Sequence, residues 1–248
     1  MFRDIGQMVW LFWRTVMALP KVFRQFRKIE EQFFEIGNSS LLMACILSVF
    51  IGGVLALQTG PPLVERGLSG VVPGVVGMSL CKELAPVMMA MLIAGRIGSA
   101  MAAEIGSMAV YQEIDALRTM NIDPIDYLVL PRVLAISVAL PLLVIFADLV
   151  GWIGGAVVCA TNPEITISWQ AYFTYLSKAV GTEDILNGLI KSFAFAVVIG
   201  VVGCHQGLRT IGGPRGIGRS VTKSVVNSIV MILILDYFLT RVLLMFDM

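Results

Sequence analysis

The chain has 248 residues, of which 57% are hydrophobic and only 14% charged. Soluble domains carry about 25% charged residues, so this composition excludes a soluble globular protein. The formal net charge of +1 gives no electrostatic reason to expect a nucleic-acid partner; what matters is where the charges fall.

The first segment, residues 2–19, places Ile5, Val9, Phe12, Trp13, Val16 and Met17 on one broad face, while Arg3, Asp4, Gln7 and Arg14 interrupt it. Pro20 stops it, and Lys21, Arg24, Arg27 and Lys28 follow. This pattern predicts a helix lying in the membrane interface, with tryptophan and arginine at headgroup level; a span would carry the four polar residues into the hydrocarbon. No small-residue cleavage site follows, so the segment does not read as a cleavable signal.

A membrane span needs about 20 apolar residues. Five segments answer to that need, at 41–57, 71–103, 133–160, 185–204 and 225–246. Basic residues of the short loops set orientation. One side collects Lys21, Arg24, Arg27, Lys28, Arg118, Arg132, Arg209, Arg215, Arg219 and Lys223. The other has Arg66 and Lys178, offset by Glu65, Glu164, Glu183 and Asp184. The amino terminus is therefore expected in the cytoplasm and, after five spans, the carboxyl terminus outside. No segment reads as a soluble domain, so ATP hydrolysis would have to come from another chain.

The second span carries Lys82, Glu83, Arg96 and Glu104. Each ionisable group in a span costs about 2.5–3.5 kcal/mol on insertion scales and so points to function. Lys82 and Glu83 are sequence neighbours and point about 100° apart on a helix, poorly placed to neutralise each other. Each needs its own partner, a water-filled cavity or a charged substrate. Pro86 lacks an N–H, which leaves the Lys82 carbonyl without its usual donor. Two readings stay open: a buried ion pair with another span, Lys191 being the candidate for Glu83, or a polar spot that meets a lipid headgroup. Asp148, Lys191 and Asp236 also fall inside spans, and Arg241 lies near an outer end.

Further along, Gly95, Ser99, Ala103 and the overlapping Gly98, Ala102, Gly106 form stripes of small residues that let helices approach closely, within the subunit or across a dimer. The Met88, Met89, Met91 cluster reads as packing. From 108 to 121 the pattern predicts an amphipathic helix with Met108, Tyr111, Ile114 and Leu117 on one side and Glu113, Asp115 and Arg118 elsewhere, ended by Asp123 and Pro124. It rests on the bilayer or docks into a groove on a partner.

GPRGIGRS at 213–220 approaches a phosphate-binding loop, but Arg219 stands where lysine is required and an apolar span precedes it instead of a strand, so it is not read as a nucleotide site. Ser220 or Thr222 is expected to cap the last span. Cys45, Cys81, Cys159 and Cys204 lie in or beside apolar runs without metal-ligand spacing and read as small buried apolar residues. His205 reads as a satisfied polar residue at a span end. No catalytic constellation, metal site or cofactor is expected.

At these residues the chain resembles the MlaE/YrbE permease family, the membrane subunits of MCE-associated ABC lipid transporters. The resemblance rests on KELAPV at 82–87, AGRIGSAMAAEIGSM at 94–108, EIDALRTMNIDP at 113–124, LPRVLA at 130–135, LIKSFAF at 189–195 and IGRSVTKSVV at 217–226. It implies an all-α membrane protein: an interfacial helix with its basic flank at 1–28 and a five-span core at 39–248, together one permease domain. It implies a homodimer that works with a cytoplasmic ATPase, a periplasmic MCE-domain lipid-binding protein and a small STAS-domain protein in the bacterial inner membrane. The segment 108–121, with Met108, Tyr111, Ile114, Leu117 and Arg118, would be the helix that couples to the ATPase. Lys82, Glu83 and Lys191 would line or adjoin a phospholipid cavity. The competing reading is an ion-coupled secondary transporter with Glu83 or Asp148 as its proton site, needing no ATPase.

Overall fold

Inside a bilayer no water is present to satisfy backbone N–H and C=O groups, so a chain this apolar must close its hydrogen bonds within helices. The structure, a computed structural model, describes residues 2–246, and among them it is helical with no strand. Met1, Asp247 and Met248, the last being the expected external end, lie outside the described residues, as do the side chains of Phe2, Arg3, Ile5, Lys21, Phe23, Arg24 and Phe246.

Helix α1 (Phe2–Met17) is followed by a 3₁₀ stretch at Leu19–Arg24 and by α2 (Phe26–Glu65). The second long helical run, Ser69–Val110, comprises α3 (Val72–Ser79), a π turn at Leu80–Leu84, α4 (Ala85–Ile93), a π turn at Ala94–Gly98 and α5 (Ser99–Val110). After α6 (Glu113–Thr119), a π turn at Ile125–Val129 leads into α7 (Leu130–Thr161). Then come α8 (Trp169–Ala179), α9 (Thr182–Leu208) and α10 (Gly213–Phe246). Five of these runs are long and apolar enough to cross a membrane: Phe26–Glu65, Ser69–Val110, Ile125–Thr161, Thr182–Leu208 and Gly213–Met245. This is the all-α, five-span architecture that the apolar runs predict.

Several boundaries differ from expectation. The spans extend well past the apolar runs because their polar ends remain helical. The single helix expected over 108–121 is two pieces. Met108 lies in the last turn of α5, which ends at Val110, Gln112 takes the left-handed conformation at φ 60°, and α6 covers only Glu113–Thr119 before Asn121 repeats the left-handed turn. Ser220 and Thr222 do not cap the last span: α10 already begins at Gly213, after a turn in which Gly212 and Gly213 have φ of 93° and 67°. GPRGIGRS is thus the first two turns of a helix. Finally α8 was not expected; its N-cap is Ser168, whose hydroxyl accepts from the Ala171 N–H, and its buried side is Tyr172 and Leu176.

The chain divides into two compact units. In the first, formed by residues 1–38, 90–140 and 193–248, α1 lays Met8, Leu11 and Ala18 on the inside and leaves Val9, Phe12, Trp13, Val16 and Met17 exposed. That exposed side is the face read as interfacial. Ion pairs of 2.6 Å tie the helix down, Arg14 to Asp123 and Arg209 to Asp4. The small-residue stripe Gly98, Ala102, Gly106 is used within the chain. A Cβ on Gly203 would lie 3.1 Å from the Gly98 carbonyl oxygen, one on Gly106 2.8 Å from Thr210 Oγ1, and Ser224 donates to the Gly98 carbonyl at 3.2 Å. Around Gly95, by contrast, an added Cβ would meet nothing within 4 Å.

The second unit, residues 39–89 and 141–192, packs α2 against α7 almost backbone to backbone. A Cβ on Gly52 would lie 1.9 Å from the Gly151 carbonyl oxygen, and one on Gly154 2.3 Å from that of Val49. Its core joins Ala56, Val72, Val76, Leu80, Ala156 and Tyr172. Overpacking a filled contact costs about 1–3 kcal/mol. Gly154→Val should therefore lower the unfolding temperature in detergent by several degrees, whereas Gly95→Ala should leave it within a degree or so. Equal behaviour of the two variants would contradict the close packing of α2 on α7.

Candidate functional site

The charged residues of the second span sit on the π turn Leu80–Leu84. A π turn holds one extra residue, which re-aims the side chains that follow, and such turns recur at functional sites. The Ala85 N–H reaches back to the Leu80 carbonyl, and Pro86 supplies no N–H for the Lys82 carbonyl. Helix α9 packs against this irregular turn at Gly188, where an added Cβ would lie 2.2 Å from the Cys81 carbonyl oxygen. Asp184 and Lys191, four residues before and three after Gly188, share its face of α9.

Two ion pairs result, both inside the second unit. Lys82 Nζ lies 2.8 Å from Asp184 Oδ1, and Lys191 Nζ donates to Glu83 Oε2 at 2.8 Å. Asp184 Oδ2 also accepts from the Gly181 N–H at 2.8 Å, which fixes its carboxylate at the start of α9. The pairs are unevenly buried: the Lys191 side chain is 2% exposed and that of Asp184 11%, whereas Lys82 and Glu83 are 33% and 40% exposed. So each pair has one sheltered member and one member open to whatever fills the space beside the turn. In α7, buried Asp148 lies against the Cys81 thiol, and its Oδ1 has no hydrogen-bond partner among the described residues.

The structure thus brings Lys82, Glu83 and Lys191 together and adds Asp184, which by sequence belongs with the acidic residues of an outer loop. The signal was present: Glu183 and Asp184 precede an apolar run, and carboxylates favour a helix's first turn. The coupling residues divide differently. Ile114 is buried in the core of the first unit, with Met108 and Leu117 packed against it, whereas Tyr111, Arg118 and Met120 are exposed. Three of the four residues expected on one face thus meet the same core, and Tyr111, beside the left-handed turn at Gln112, falls outside it. His205, expected to be satisfied, is buried, and its Nε2 has no hydrogen-bond partner among the described residues. Arg132 and Glu104 pair at 3.0 Å, so this basic residue is a partner for the span's own glutamate.

Five long apolar helices and ionisable side chains paired between two of them define a multi-pass helical membrane protein. Residues 29–242 match the model of the family described as Permease MlaE. A probable ABC transporter permease protein of Synechocystis is 41% identical over 218 residues, covering 86% of this chain and 81% of the relative. One of Rickettsia typhi is 37% identical over 215 residues, covering 87% and 82%. The chloroplastic protein of Arabidopsis thaliana named trigalactosyldiacylglycerol 1 is 35% identical over 227 residues, covering 93% of this chain and 64% of that protein. The chain belongs to the MlaE permease family and is the membrane permease subunit of an ABC transporter.

The uneven burial of the ion pairs has a measurable consequence. Removing one partner of a buried pair costs about 3–5 kcal/mol, because a charge stays behind without its counter-charge. Glu83→Ala takes the carboxylate from the sheltered ammonium of Lys191 and should cost that much in thermal unfolding and membrane abundance. Lys191→Ala leaves the more open Glu83 and should cost clearly less, and the double variant should recover most of the loss. Equal losses in the two single variants would contradict this asymmetry.

Proposed function

We propose that this permease moves phospholipid between the bacterial inner membrane and a periplasmic MCE-domain protein, with the headgroup meeting Lys82, Glu83 and Lys191. The observation that carries the reading is the pair of half-open ion pairs on an irregular turn of an otherwise apolar span. A zwitterionic headgroup can offer its phosphate to the ammonium and its amine to the carboxylate, so a pair that opens onto it leaves neither charge without a partner. The half-open carboxylate of Glu83 suits the amine of a zwitterionic headgroup in the same way. The galactolipid name of the Arabidopsis relative adds support for a glycerolipid as substrate. In this reading residues 1–248 act as one permease domain, two copies form the working homodimer, and the open side of Gly95, Ser99 and Ala103 is available for their contact. The amino terminus lies in the cytoplasm and the carboxyl terminus in the periplasm, following the basic loops. A STAS-domain protein completes the assembly on the ATPase.

Photo-crosslinking from position 82 tests the lipid contact. A crosslinker there should capture phospholipid in the assembled transporter, and the Glu83→Ala/Lys191→Ala variant should lose both capture and lipid transport while staying abundant. A double variant that is abundant and still transports would sink the reading and leave the pairs a structural role.

ABC permeases work with an ATPase, and we place its docking surface on the exposed Tyr111, Arg118 and Met120, with Ile114 and Leu117 supporting them from below. Tyr111→Asp combined with Met120→Asp should release the ATPase in a pull-down without changing permease abundance. Ile114→Asp buries a charge in the core of the first unit and should instead lower abundance. Undiminished ATPase binding by the Tyr111/Met120 variant would rule this surface out.

A further inference from the structure

In the first unit a groove of about 830 Å³ runs along α10, walled by α1 and the end of α9. Its lining changes character along α10. Arg219 and Lys223 stand at one end, Asn227 follows, and Val230, Met231 and Ile234 line the rest. At 1.5 Å per residue, Arg219 to Ile234 covers about 22 Å, close to one leaflet of a bilayer about 40–45 Å thick with its headgroups.

We propose that this groove holds one anionic phospholipid, its phosphate between Arg219 and Lys223 and an acyl chain along Val230, Met231 and Ile234. Arg219 and Lys223 are one helical turn apart, where like charges repel. Among the described residues neither has an ion-pair partner, whereas the third cation of the groove, Arg209, is held at 2.6 Å by Asp4. An anion seated between the two cations removes their repulsion, and guanidinium and ammonium groups both bind phosphate through charge-assisted hydrogen bonds. Ser220 turns instead to Thr210, at 2.8 Å, so the cations and not this hydroxyl face the ligand. The apolar two-turn continuation has no use for a free phosphate, and Val230 and Ile234 are exposed in the chain. A second copy packed on the groove by two-fold symmetry would set its own basic patch against this one. The site goes beyond the proposed transport site, whose residues belong to the other unit, and rests only on the membrane-spanning fold.

Native mass spectrometry of the full chain in mild detergent tests this, with phosphatidylglycerol and phosphatidylcholine of matched acyl chains as probes. Phosphatidylglycerol should be retained at least about tenfold more tightly (roughly 1.4 kcal/mol). Arg219→Gln with Lys223→Gln should bring it to the phosphatidylcholine level, and Arg219→Lys with Lys223→Arg should preserve it. Millimolar glycerol phosphate should not displace it. Should the glutamine variant fail to fold, phosphatidylglycerol with a photoreactive acyl chain on the unaltered protein should label the 230–234 segment. Equal retention of the two lipids, displacement by glycerol phosphate, labelling confined to other segments, or crosslinking of position 230 to a second copy instead of lipid would each overturn the proposal.

Discussion

A lysine or a glutamate in the hydrocarbon of a bilayer has no water to fall back on, and the second unit is arranged around that fact. Lys82 and Glu83 are adjacent in sequence, so one helix cannot pair them with each other; both counter-charges come from α9, where Asp184 and Lys191 occupy one face. For α9 to reach them it must come very close to the turn that carries them, and Gly188 permits this by leaving room for the Cys81 carbonyl. The π turn and Pro86 complete the arrangement by breaking the regular register at the point where charge is needed. Regular helix geometry, small-residue packing and ion pairing are thus linked: a side chain at 188 would displace α9 and separate both pairs at once.

The first unit solves a different problem, the transition from membrane to water. Its α1 has an inward side of Met8, Leu11 and Ala18 and an outward side rich in tryptophan and valine, and ion pairs at both ends of the helix fix it to the end of α9 and to the segment before α7. Short α6 is held by Ile114 in the same core. A force applied to the exposed side of α6 would therefore act on a packed body and not on a loose loop, as the proposed coupling to an ATPase requires.

Much of this was legible in the amino-acid sequence. Apolar run length gives the five spans, because hydrocarbon thickness leaves little choice, and the amphipathic pattern of α1 survives in its exposed face. The central motifs carry the family. Less legible were features made by one residue or one angle. None of the three π turns among the described residues alters composition or periodicity enough to show. Gln112 and Asn121 adopt left-handed backbone where glutamine in particular gives no warning, so a helix expected over 108–121 is in fact a helix end, a turn and α6. Acidic residues beside a span read as a boundary, which hides Asp184 in sequence, although α9 begins two residues earlier and draws it inward. The stripe of Gly98, Ala102 and Gly106 announced close contact without naming the partner; only the positions of Gly203 and Ser224 show that it is spent inside the chain.

Mass spectrometry of the proteins and lipids that leave the membrane with this chain in mild detergent tests the central claim most directly. The expected result is an ABC ATPase subunit together with bound phospholipid. A chain that purifies with neither, and that by itself drives proton-coupled uptake when placed in vesicles, would contradict it and would make Glu83 or Asp148 the proton site of a secondary transporter.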